Sequence, residues 1–243
     1  DADTRRHGHE AARKAIERIV ENQNILVTEA GEAIVTEDGR PIQLEDSPGR
    51  NPSDPAMLDL LEEIVHHTLH SGHVREAWNI YWNQIGGYNN LGRRLGAYER
   101  GIRISQALAE QILCSPPGDT TLLPTHIVPF LISGWGLYLS AVRRPENAAA
   151  LLRQAAERAE ASNDWFNAAL GCHNFARTAL LIGKLPEAIE WSKKGLALLS
   201  RTEGRTNSGE WLYHFGYLAQ MFSLHGDILE ALSSFRNAEK CID

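Results

Sequence analysis

The chain has 243 residues, 43% hydrophobic and 23% charged, which is ordinary for a folded protein able to build its own core. Its formal charge of −7 and a pI near 5.8 argue against a broad electrostatic grip on nucleic acid. Its three cysteines, Cys114, Cys172 and Cys241, are odd in number, far apart and without zinc spacing, which excludes a disulfide framework and fits a reducing cytoplasm.

Residues 4–22 read as a helix, with Ala11, Ala12, Ala15, Ile16 and Ile19 recurring at three- and four-residue steps. Residues 24–45 change character. Short β-branched runs at 25–28 and 33–36, followed by Asp38-Gly39 and residues 41–44, predict a small β-hairpin with a primed turn. Residues 46–55, rich in Pro, Ser and Gly, read as a linker. The division expected from this is a 1–50 segment of helix plus hairpin and linker, then an all-α domain over 55–243. The first residues lack both an apolar signal core and an initiator Met, so the chain is expected to be a fragment of a longer protein or a processed form. No run of 18 apolar residues occurs, so no transmembrane helix is expected.

From residue 54 the chain is repetitive. Five breaks, at Gly72, Gly96, Arg143-Arg144-Pro145, Gly183 and Gly226, are each followed five positions on by a small residue: Ala77, Gly101, Ala148, Ala188 and Ala231. A break of this kind lets the chain reverse between antiparallel helices, and the small residue lets the second helix approach the first closely. One such pair cannot bury its apolar face alone, so neighbours must stack.

The last unit carries Ala219 and Phe222 before Gly226, then Ala231, Phe235 and Ala238. The fourth carries Phe175, Ala176 and Ala179 before Gly183, then Ala188. The third has Trp135, Gly136, Ala148, Leu152 and Ala155 without the turn glycine, and the first has Ile64, Gly72, Ala77 and Tyr81. Over residues 55–243 this resembles the tetratricopeptide repeat (TPR) family, which implies an α-solenoid of antiparallel pairs wound as a right-handed superhelix. The second unit departs most, because Gly86-Gly87 interrupts it. The breaks lie 24, 47, 40 and 43 residues apart, against the family's repeat of about 34. Such long, irregular units, with the stretch 77–96, resemble the C-terminal sensor regions of bacterial STAND-type signalling ATPases.

The resemblance implies a protein- or peptide-binding scaffold or sensor module of a larger signalling or defence protein. Its partner would be a peptide, a protein or another domain of the same protein, with no enzyme activity, no cofactor and no membrane. The family's first helices line a concave groove. Carried onto this sequence, the groove positions are Glu62 and His66, then Phe130, Ser133 and Leu137, then Leu170, His173 and Arg177, and finally Tyr213 and Gln220. Arg177, His173 and Tyr213 are expected to be central. A second reading makes residues 1–50 the closing half of a winged-helix DNA-binding domain of a ligand-gated regulator, with Arg5, Arg6, Arg13, Lys14 and Arg18 as its basic residues.

Other chemistry is weaker. His66, His70 and His73 share one helical face and could ligate zinc with Glu62 or Glu63. The break at Gly72 separates His73 from that helix, so a polar face is the simpler expectation and no metal is assigned. Cys172 and His173 are adjacent and therefore about 100° apart on a helix, which disfavours a nucleophile–base pair. Cys172 reads as a buried, inert thiol. No GxSxG or P-loop occurs. Trp78, Tyr81, Trp82 and Tyr88 read as core.

Overall fold

The computed structural model describes residues 2–22, 51–113, 123–124, 126–202 and 208–242, and all regular structure among them is helical. The hairpin expected at 24–45 lies outside the described residues. The chain divides into two compact units, Asp1–Leu123 and Pro124–Asp243.

In the first unit, α1 (Ala2–Asn22) packs along α2 (Pro55–His70). The start of α2 is locally encoded. Asp54 caps it, its carboxylate accepting from the Met57 N–H at 2.9 Å, and Pro55 occupies the first helical position. Met57, Leu58, Leu61, Ile64, Val65, Thr68 and Leu69 then form its buried stripe. The alanine stripe expected on α1 does not define its contact face. Ala11 and Ala15 are exposed, whereas Arg13 is buried. Arg13 is turned inward because Glu76 at 2.5 Å and Glu10 at 2.9 Å neutralise it.

After α3 (Val74–Asn79) the chain widens into two π-helical turns, Ile80–Gln84 and Asn89–Arg94, before α4 (Tyr98–Leu113). This is the unit that Gly86-Gly87 interrupts. Both glycines take positive φ, and a Cβ on Gly86 would lie 1.8 Å from Asn51 Oδ1. Buried Asn90 ties the bend together, donating to the Ile85 carbonyl at 2.8 Å and to the Pro52 carbonyl at 3.0 Å. Trp78 and Tyr81 are buried as expected, with Trp82 stacked on Trp78 at 5.6 Å.

The second unit holds α5 (Ile127–Ala141), α6 (Pro145–Ala161), α7 (Trp165–Leu181), α8 (Leu185–Leu199), α9 (Ser208–His225) and α10 (Ile228–Glu239). Each helix packs against the next, and α7 also touches α5 and α9. The turns explain the regularity. At Gly183 the Lys184 N–H reaches back to the Ala179 carbonyl at 2.9 Å, and at Gly226 the Asp227 N–H reaches Phe222 at 3.0 Å. Arg144 to Leu139 and Asp164 to Ala159 repeat the closure at 3.0 Å each, with Arg143 and Asn163 taking the left-handed position. These are Schellman caps, which consume otherwise orphaned helix-end carbonyls. In the first unit, the His73 N–H to the Thr68 carbonyl closes the turn at Gly72 in the same way.

The small residues Ala77, Gly101, Ala148, Ala188 and Ala231 are all buried. A Cβ on Gly171 would lie 2.9 Å from Ala156 Cα, which measures how closely α6 and α7 approach. Phe235, at the family's aromatic position, is instead exposed on α10, whose main packing partner among the described residues is α9.

Candidate functional site

The second unit gathers most of the expected groove residues. Helix α7 is buried nearly all round, and Leu170 and Arg177, seven residues apart, mark the stripe it leaves open. On one side the Asn174 side-chain amide donates to Ser133 Oγ of α5 at 3.5 Å. Phe130 lies one turn before Ser133 and is 37% exposed, and Leu137 one turn after it is half-buried. On the other side α9 presents Tyr213, 65% exposed, then Tyr217 and Gln220 at helical spacing.

His173 sits beneath this surface rather than on it. It is buried, and its ring meets Tyr217 edge-on at 4.8 Å, His214 at 5.0 Å and Tyr213 at 6.4 Å. The Arg177 guanidinium lies 5.2 Å from the centre of the Tyr217 ring. The Nδ1 atoms of His173 and His214 are buried without a hydrogen-bond partner. Burial pushes His173 down to about 3, reinforced by His214 and Arg177, and takes His214 to about 4, so both imidazoles are neutral near pH 7. His214 fits because the opposing residue on α8 is Gly195, where a Cβ would come within 2.7 Å of the ring.

Tyr217, Asn174 and His214 were not anticipated from sequence. Tyr217 lies four residues after Tyr213 and three before Gln220, so helical periodicity alone could have found it. His214 and Asn174 could not be placed without knowing which helices flank α7.

In the first unit, Glu62 is already engaged. Arg103 of α4 holds it bidentately at 2.6 and 3.0 Å, and Arg100 approaches at 3.3 Å while also bonding Asp59. Glu62, His66 and Arg103 line a shallow cleft of about 300 Å³ between α2 and α4. His66 is exposed and joins a cluster that the sequence reading drew differently. His73 lies apart, 3.8 Å from Glu10, while His9 from α1 and His67 enter. Burial and neighbouring imidazoles hold His9 and His66 below the usual range.

Nucleophilic chemistry finds no footing at Cys172, which is fully buried with its thiol pushed up to about 12 by burial. Among the described residues no helix is long and apolar enough to cross a membrane.

Helix pairs closed by Schellman turns, with a small residue at each contact, define a helix-pair repeat protein, and comparison with solved structures agrees. BtubC (BKLC) from P. vanneervenii superposes with a TM-score of 0.56 at 12% identity, covering 99% of this chain and 91% of that one. TPR-like repeats of the kinesin-light-chain type from Podosopora anserina align with a TM-score of 0.47 at 15% identity, over 99% and 90% of the two chains. The helix-pair architecture is TPR-like, and the chain shares its overall fold with BtubC. No family model and no curated protein matches the sequence.

Proposed function

We propose that this chain is a protein- or peptide-binding scaffold whose contact surface is the α5–α7–α9 face of the second unit. The observation that carries the reading is the composition of that face. Three helices that bury most of their apolar side chains nevertheless leave Phe130, Leu170 and Tyr213 exposed, with Arg177 exposed on the same open stripe of α7 as Leu170. Rigid aromatic bodies and a guanidinium are the groups most often found at the energetic centre of protein interfaces. Arg177 can bind a carboxylate bidentately, and Tyr213 offers an apolar ring with a polar tip.

The role is non-catalytic. The long and irregular repeats favour a sensor module of a larger bacterial signalling or defence protein. The DNA-binding reading of residues 1–50 draws no support from α1. Its Arg6 donates to the Ser71 carbonyl at 2.8 Å, and its Arg13 is spent on glutamates of this chain.

The test is to select a peptide ligand from a displayed library and measure its affinity calorimetrically. Arg177→Ala and Tyr213→Ala should each weaken binding by roughly 30-fold, about 2 kcal/mol, with unchanged melting temperature. Full affinity in both variants would remove this face as the binding surface.

A further inference from the structure

Where α1 lies on α2, four imidazoles from two helices converge. The rings of His9 and His70 are 4.8 Å apart, those of His9 and His67 5.1 Å, and those of His66 and His70 4.1 Å. His9, His66 and His67 each bring a ring nitrogen to within 4.8 Å of the others. We propose that His9, His66 and His67 form a binding site for a late first-row divalent transition metal, zinc foremost, that ties α1 to α2.

The donor set suits such an ion. Imidazole is the ligand shared by zinc, copper and nickel, whereas calcium and magnesium require oxygen donors. Zinc–nitrogen bonds of about 2.0–2.1 Å in a tetrahedron set the ligand nitrogens about 3.4 Å apart. The His9 and His67 Nδ1 atoms already face each other at 2.8 Å. Small side-chain rotations of His9, His67 and exposed His66 can bring the three nitrogens to that spacing, leaving the fourth position for water or a partner's side chain.

The surroundings of His67 resemble those of a metal ligand. While its Nδ1 points at His9, its Nε2 lies 3.8 Å from the Glu63 carboxylate one helical turn earlier. A carboxylate hydrogen-bonded to the far nitrogen orients metal-bound histidines and raises their basicity, and Glu63 lies just outside that contact, within reach of a side-chain rotation. His70 shapes the site without supplying a ligand. Its Nδ1 is 2.8 Å from the His66 carbonyl, which fixes the ring against those of His9 and His66.

The experiment uses the full chain without a histidine tag. Titration with zinc chloride, followed by calorimetry, should give one equivalent bound and a raised melting temperature, with magnesium inert. Cobalt(II) should give the intense visible absorption of a low-coordinate site. His9→Ala and His67→Ala should each weaken zinc binding at least ten-fold, and Glu63→Gln by a smaller factor. His73→Ala, outside the triad, should bind as the parent does. Circular dichroism without metal checks that each variant is folded; His66→Ala, at an exposed position, supplies a ligand deletion that leaves packing intact. Absence of zinc binding by the parent, or equal affinity in His9→Ala, His66→Ala and His67→Ala, would overturn the proposal.

Discussion

At the scale of single residues, the clearest physical oddity is the pair His173 and His214, two imidazoles buried between α7, α8 and α9 with unbonded Nδ1 atoms. In the unfolded chain each titrates near 6.5, whereas in the fold they resist protonation until about 3 and about 4. The unfolded state therefore takes up protons first. The stability these groups contribute is fully present above about pH 6.5 and is lost as pH falls toward the folded values. Moving from about pH 7.5 to about pH 5 should cost roughly 2 kcal/mol per histidine, read as a fall in the urea midpoint. A His173→Gln, His214→Gln double variant should flatten that dependence. An equal fall in the double variant would assign it to other groups. Arg177 acts on His173, so a ligand carboxylate bound there would ease protonation of His173.

At the scale of elements, much was legible because the determinants are local. The turns at Gly72, Gly183 and Gly226 show in sequence as a glycine with a small residue five positions on. Both marks have a backbone cause: a positive φ and a close helix contact. The reversal at Asn163 went unread because asparagine fills the left-handed position there, splitting the 143–183 step into two halves of 20 residues. The stripe on α5, α7 and α9 was expected from positions carried over from the resembled family, and burial of His173 was not expected, since it depends on α9 closing over α7. Of the proposed metal site, only His66 was among the ligands considered from the sequence, which grouped it with His70 and His73. His66 and His67 lie within one helix, but His9 enters only through docking of α1, which no local pattern encodes. Arg143 yields a prediction at this scale. It is exposed at φ 60°, where the turns at Gly72, Gly183 and Gly226 use glycine. A left-handed conformation costs an L-residue about 1–2 kcal/mol, partly offset by the greater unfolded-state freedom of glycine. Arg143→Gly should therefore stabilise the protein by about 0.5–1 kcal/mol, measured as a higher urea midpoint with unchanged slope. A lower midpoint would show that the Arg143 side chain contributes more than its backbone costs.

At the scale of the molecule, the second unit contains what a folding domain needs. Ala156, Ala159, Ala168, Ala169, Cys172, Leu198 and Leu199 form a core drawn from α6, α7 and α8, with Trp165, Trp191 and Trp211 packed against it. Cross-links among these helices reinforce it. Arg153 pairs with Glu187 and lies 4.9 Å from the Phe175 ring centre, and Lys194 reaches Glu160 at 2.6 Å. In repeat proteins stability is close to a sum of terms within repeats and between nearest neighbours. A piece spanning complete pairs should thus keep most of its own stability, and a chain of this size can bury a sufficient core. Residues 124–243 produced alone should give a helical circular dichroism spectrum and a cooperative urea transition. Because Phe130, Leu170, Arg177 and Tyr213 all lie within that piece, it should also retain the affinity of the full chain for a selected peptide, to within about three-fold, or about 0.6 kcal/mol. A folded piece that has lost binding would move the partner surface to residues 1–123 or to a surface needing both units. A piece without a cooperative transition would show that this core depends on the preceding residues.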